Sequence, residues 1–131
     1  MDLNLKDKHV LITGGSKGIG YACAAAFLAE GARVSLVSRS TEHLEAARGR
    51  LSADVHGSAG RISVHAGDLQ QPESAAKALA AAEAAFGDVD VLVNSAGAAR
   101  RTPPEELSAQ AWHDAMNAKF FTYVHMVDLV V

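Results

Sequence analysis

The sequence contains a single cysteine, Cys23, in 131 residues. That excludes an internal disulfide framework and any cysteine-rich zinc site. It has no basic surplus: 12 Lys and Arg stand against 15 Asp and Glu, a net charge of −3. A nucleic-acid binder would usually show the opposite balance. No apolar run approaches the ~20 residues a membrane-spanning helix needs. The N-terminal segment MDLNLKDKHV has no apolar signal-peptide core. Histidines do not pair at metal-ligand spacing: His43, His56, His65, His113 and His125 fall in different predicted elements, without H-x-x-x-H or H-E-x-x-H. They read as surface or strand-end residues, and Cys23 as a small buried one. These absences leave a cytoplasmic protein as the expectation, with no nucleic acid, membrane or metal as partner. Aromatics are scarce at 5%, but 49% of the chain is hydrophobic and 21% charged. That composition fits a folded domain rather than a disordered one.

Short apolar runs alternate with helix-like stretches along the chain. The runs are Lys8–Thr13, Arg33–Ser38, Arg61–Ala66 and Val89–Asn94, each bounded by Gly, Asp or Ser. Runs of about six such residues read as strands of a buried parallel sheet. Between them lie Ile19–Glu30, which stops at Gly31, then Glu42–Ala53, with Ser40 or Thr41 as N-cap, and Pro72–Phe86, with Pro72 at N1 and Gly87 as stop. The order β-α-β-α-β-α-β with short connections predicts a doubly wound parallel α/β sheet. A loop over Ala96–Glu106 carries Pro103 and Pro104, and a long helix is expected from near Ser108 to the end. Its later part, Phe120–Val131, is apolar around most of its circumference, which calls for burial.

The first strand-to-helix turn reads Thr13-Gly14-Gly15-Ser16-Lys17-Gly18-Ile19-Gly20. Glycines there permit a tight turn and close approach of a pyrophosphate, and the following helix offers free N–H groups and a favourable dipole. The third strand ends in Asp68-Leu69, the fourth in Asn94-Ser95-Ala96-Gly97, and Trp112 opens the next helix. In its spacing, G-x-x-x-G-x-G, and in these further markers, the sequence resembles the short-chain dehydrogenase/reductase family in its classical form, over nearly the whole chain. The resemblance implies a Rossmann-like fold, here incomplete, with about four strands in the order 3-2-1-4 and flanking helices. It also implies contacts to the cofactor from Gly14, Ser16, Lys17, Gly18, Ile19 and Gly20, from Asp68 and Leu69, and from Asn94, Ala96 and Gly97. By its chemistry Asp68 can accept from an adenine amino group or cap its own loop. Asn94 can tie neighbouring strands together, and the Ala96-Gly97 backbone is small enough for a ribose or nicotinamide to lie against it.

The end of the second strand distinguishes NADP from NAD. NAD binders place an acid there for the ribose 2′-OH. This chain has Ser38-Arg39-Ser40 instead. Arg39 can hold a 2′-phosphate in bidentate fashion, Ser38 and Ser40 can add hydroxyl donors, and Lys17 supplies a second positive charge. NADP(H) is therefore the expected cofactor.

The family's catalytic Tyr and Lys, Y-x-x-x-K, have no counterpart. Four residues after Tyr21 and Tyr123 stand Ala25 and Val127. The family's helix Asn, seven residues on from Trp112, is replaced by Lys119, while Asn117 lies about 200° away around a helix. Lys119 reads equally as a group reaching the same space or as a plain helix-surface lysine. No catalytic residue is assigned. The expectation is one NADP(H)-binding Rossmann domain over residues 1–131, the amino-terminal half of an oxidoreductase acting on a small-molecule carbonyl or alcohol and inactive by itself. A naturally short nucleotide-binding or interaction module is the alternative, and a binder of adenosyl ligands such as a methyltransferase a remoter one. With strand four as an exposed edge, a homo-oligomer formed through that strand or the final helix is expected.

Overall fold

The computed structural model describes residues 1–97 and 101–131. The expected alternation is present as β1 (His9–Thr13), α1 (Gly18–Ala29), β2 (Arg33–Ser38), α2 (Thr41–Asp54), β3 (Ile62–Ala66), α3 (Pro72–Phe86) and β4 (Val91–Asn94). All strand pairs are parallel, and the sheet order is β3-β2-β1-β4. This is the expected order, an α/β sheet wound on both faces.

Period-two alternation along β1 divides the core. Val10 and Ile12 pack with Leu28 of α1 and Leu44 and Leu51 of α2 on one face. Leu11 packs with Leu79 and Ala82 of α3 on the other. Small residues on α3 let that helix lie close over the sheet. Local signals fix the helix ends. Ser40, rather than Thr41, caps α2, its Oγ accepting from the His43 N–H at 3.2 Å. Pro72 opens α3, and Gly87 closes it with an N–H bond to the Glu83 carbonyl.

Three strands start later than expected, β1 and β3 by one residue and β4 by two. Asp90 precedes β4. It donates its N–H to the His9 carbonyl and accepts the His9 N–H on Oδ2 at 2.8 Å. Arg61 ends a short 3₁₀ turn (Ala59–Arg61). Its guanidinium donates to the Leu28 and Ala32 carbonyls at 3.0 and 2.7 Å, tying β3 to the end of α1. Cys23 is half-buried against the α1 side of the core.

A polar chain crosses the α3 face of the sheet. His9 is fully buried, and its Nδ1 lies 2.8 Å from the Gly87 carbonyl. A carbonyl only accepts, so Nδ1 carries hydrogen. In the tautomer that carries this hydrogen, Nε2 accepts from Ser35 Oγ at 2.7 Å. Ser35 in turn accepts from Ser63 (2.6 Å) and Ser63 from His65 Nε2 (2.9 Å). Every link then has a donor and an acceptor, which is what burial of polar groups demands.

The expected long helix is interrupted. Ser108 Oγ caps α4 (Ala109–Met116) by accepting from Ala111 N–H. A π-helical turn (Asn117–Phe121) follows, then α5 (Thr122–Val130). Its wider winding shifts the later residues around the axis relative to a continuous α-helix. Thr122 Oγ1 donates to the Lys119 carbonyl at 3.0 Å inside this turn. Of the apolar α5 region, Thr122 and Met126 are buried, whereas Phe120, Val127 and Leu129 remain exposed. Residues 98–100 of the expected loop lie outside the described residues. The rest of that loop contains a 3₁₀ turn at Pro104–Glu106. No described helix is long and apolar enough to cross a membrane.

Candidate functional site

A cleft of about 720 Å³ opens at the carboxyl ends of the strands, where parallel α/β sheets present their ligand sites. Its floor is the glycine turn. Gly14 has φ +68°, and its N–H donates to the Val37 carbonyl at 2.8 Å. A Cβ at Gly14 would lie 2.8 Å from Ala96 Cα, so the absence of a side chain lets the two strand ends touch. At Gly20 a Cβ would run into the Gly14 carbonyl, which packs α1 tightly under the turn. Lys17 occupies the N-cap of α1 in extended conformation and makes no side-chain cap bond. The first amides of α1 therefore keep their donors for something else.

Ser16 is buried in this turn, and Arg50 of α2 donates from Nη2 to its carbonyl at 3.1 Å. The same guanidinium lies 4.6 Å from the Tyr21 ring centroid. Tyr21 donates to Asp54 Oδ2 at 2.7 Å. Burial first, then the hydrogen bond and charge of Asp54, push its pKa above that of an ordinary tyrosine. It is locked away from the cleft and is no acid–base group.

The second wall is Ser38, Arg39 and Ser40 at the end of β2. The third is Asp68 and Leu69 with Gly67 and Gln70. Asp68 Oδ1 accepts from the Gln70 N–H at 3.0 Å, so the loop-capping reading of Asp68 holds while the residue also faces the cleft. His125 of α5 donates from Nδ1 to the Leu69 carbonyl at 2.8 Å and fixes this loop. The fourth wall combines Ser95, Ala96 and Gly97 with Ala118 and Thr122.

Thus Gly14, Ser16, Lys17, Ile19, Ser38, Arg39, Ser40, Asp68, Leu69, Ala96 and Gly97 come together around one space. Gly18, Gly20 and Asn94 do not line it. Gly20 packs beneath the turn, whereas Gly18 is exposed and contributes its backbone conformation, φ +60°. Asn94 does not tie strands through its side-chain oxygen, which is buried without a hydrogen-bond partner. Thr13 takes that part: its Oγ1 accepts from the Ser95 and Ala96 N–H groups, both at 3.2 Å. Thr13, His43, Ser95, Ala118, Thr122 and His125 are among the residues missed from sequence. Thr13 and Ser95 stood inside the quoted motifs. His43 and His125 carried no signal, because only tertiary packing brings them here.

Lys119 sits on the π turn. A Cβ at Gly97 would come within 3.0 Å of its Cδ. Its ammonium lies 5.3 Å from the Tyr123 ring centroid, along the helix rather than in the cleft. Electrostatically the cleft is asymmetric. Among the described lining residues Lys17 and Arg39 are cationic and Asp68 is the acidic one. The ion pair seen among the described residues, Arg48 with Glu45 at 3.6 Å, lies outside the cleft. No described cluster of His, Cys, Asp or Glu could hold a metal ion.

A profile for short chain dehydrogenases matches residues 8–131. D-threitol dehydrogenase of Mycolicibacterium smegmatis is 41% identical, over 88% of this chain and 43% of its own length. L-sorbose reductase of Gluconobacter frateurii, solved with NADPH and L-sorbose, superposes with a TM-score of 0.87 at 30% identity, over 98% of this chain and 48% of its own. An NADPH-bound short chain oxidoreductase of Pseudomonas aeruginosa, described as containing an atypical catalytic center, gives a TM-score of 0.89 at 31% identity over 96% of this chain. The chain spans less than half the length of these curated and solved relatives. With the glycine turn, the strand order and the cleft all in place, the chain belongs to the short-chain dehydrogenase/reductase family.

Proposed function

We propose that the cleft holds NADP(H) in preference to NAD(H), and that residues 1–131 form the cofactor-binding part of an oxidoreductase interconverting small-molecule carbonyls and alcohols. The observation that carries this reading is the cationic end of the cleft: Lys17 and Arg39 both line it, and β2 ends without a carboxylate. A 2′-phosphate is the dianion that this end would neutralise, and Arg presents the matching fork of donors. The Gly14 cradle, which a Cβ would fill, and the uncapped amides of α1 fit the pyrophosphate. Asp68 faces the adenine side, and Ser95 to Gly97 offer a backbone surface to the nicotinamide side. NADPH in the solved relatives supports the same choice.

Bound NADP(H) supplies or accepts the hydride. The residues of this chain bind and orient it: Ser38, Arg39, Ser40 and Lys17 at the phosphate, Gly14, Ser16 and Ile19 beneath the pyrophosphate, and Leu69, Ala96 and Gly97 along the walls. Gly18, Gly20 and Asn94 act through the shape of the turn and strand end. Because the sequence holds no Y-x-x-x-K, the chain alone carries no acid–base pair for hydride transfer, and binding without turnover is expected of it. Reversing the charge at position 39 tests the assignment. Arg39→Asp is expected to weaken NADPH binding at least tenfold, about 1.4 kcal/mol, and to raise the affinity for NADH relative to it, as read by calorimetric titration. An unchanged preference would sink the assignment.

A further inference from the structure

We propose that His43 is a further determinant of cofactor choice, forming with Lys17 and Arg39 a three-sided receptor for the 2′-phosphate. The inference rests on the NADP(H) reading of the cleft and extends it to a residue outside the glycine turn and the β2 end.

His43 lies in the first turn of α2, where its backbone N–H is bonded to Ser40 Oγ. That cap fixes the residue against the end of β2. His43 lines the main cleft together with Lys17, Arg39 and Ser40. It also lines a smaller recess of about 110 Å³ with Ser16, Lys17, Ala46 and Arg50. His43 therefore borders both spaces, as Lys17 does, with Arg39 lining the first and Arg50 the second. Arg50 is already committed to the Ser16 carbonyl and the Tyr21 ring. Lys17, Arg39 and His43 have no described ion-pair partner. Among the described residues the recess is lined by no carboxylate and the main cleft by one, Asp68. Cations gathered without a counter-charge repel one another, and an anion among them relieves that repulsion. An imidazole contributes one N–H donor when neutral and two with a full charge when protonated. A phosphate monoester suits this set better than a ribose hydroxyl, which has no charge to offer.

The test uses adenosine 2′,5′-bisphosphate and 5′-AMP, which differ by the 2′-phosphate alone and need nothing of the nicotinamide end. Both are titrated calorimetrically into the chain and its variants at low salt. His43→Ala is expected to weaken the bisphosphate about fivefold to tenfold, the worth of one charge-assisted hydrogen bond, and to leave 5′-AMP unchanged. His43→Lys is expected to restore tight bisphosphate binding. Unaltered 5′-AMP affinity also shows that the exposed substitution leaves the fold intact. If wild-type chain binds both nucleotides equally, the NADP(H) reading itself fails and the role of His43 with it. If wild type discriminates and Arg39→Ala abolishes the difference while His43→Ala does not, the receptor has two sides and the inference about His43 is overturned. An equal loss of both nucleotides in His43→Ala would make it a general packing residue and overturn the inference as well.

Discussion

Thr13 shows how much one side chain does here. Its hydroxyl receives two backbone N–H groups from the strand next to it and so holds the Ser95–Gly97 wall against the glycine turn. The threonine was visible in the glycine motif, but its partner was not: a hydrogen bond between residues about eighty positions apart follows from the β1–β4 register, not from local sequence. His9 has the same history. It precedes an apolar run and gives no sign of being the buried end of a chain through Ser35 and Ser63 to His65. That chain has a consequence for acid stability. His65 binds its proton less readily in the folded protein than the ordinary 6.5, through burial first and then the charge of Arg48. Below 6.5 the unfolded chain therefore takes up a proton that the folded one resists, so stability rises with pH through that window and is lost on acidification. The urea midpoint is expected to be higher at pH 7.5 than at 5.5, with a smaller difference in His65→Gln. Equal midpoints in the wild type would show that the chain does not couple protonation to folding.

At the scale of elements, the strands and the first three helices were legible because each has a local cause. Short apolar runs made the strands, and caps at Ser40, Pro72 and Gly87 set helix ends to within a residue or two. The break between α4 and α5 was not legible. Apolar periodicity continues through Asn117–Phe121, and the π turn coincides with the approach of the Ala118 carbonyl to Gly97, a tertiary contact. The outward face of α5 is the element with an open requirement. Phe120 of the preceding π turn is 51% exposed, and Val127 and Leu129 of α5 are each 41% exposed. Burying a side chain of this kind is worth about 1.5–3 kcal/mol, and contiguous exposed apolar surface marks an interaction site. A second copy of the chain would cover it, and β4 adds an edge strand beside it. Sedimentation is expected to show self-association that rises with concentration, and the pair Phe120→Asp and Val127→Asp is expected to return the chain to monomer. A wild-type chain that stays monomeric at high concentration would contradict this.

For the whole molecule, the sequence markers and the fold converge on one space. Segments separated by one helix and one strand bring Lys17 and Arg39 to the same cleft, and the close packing of Gly14 on Ala96 joins the turn to the β4 wall. Cleft residues were readable wherever a strand end carried them, because parallel sheets place ligands at those ends. Those brought by helices, His43, Ala118 and Thr122, depended on how α2, the π turn and α5 pack and were not readable. The cationic end makes the central claim a statement about charge, so salt should weaken NADPH binding more than NADH binding. The most direct test is calorimetric titration of the wild-type chain with NADPH and, separately, with NADH. NADPH is expected to bind at least tenfold more tightly at low salt. Equal affinities, or tighter binding of NADH, would contradict the account.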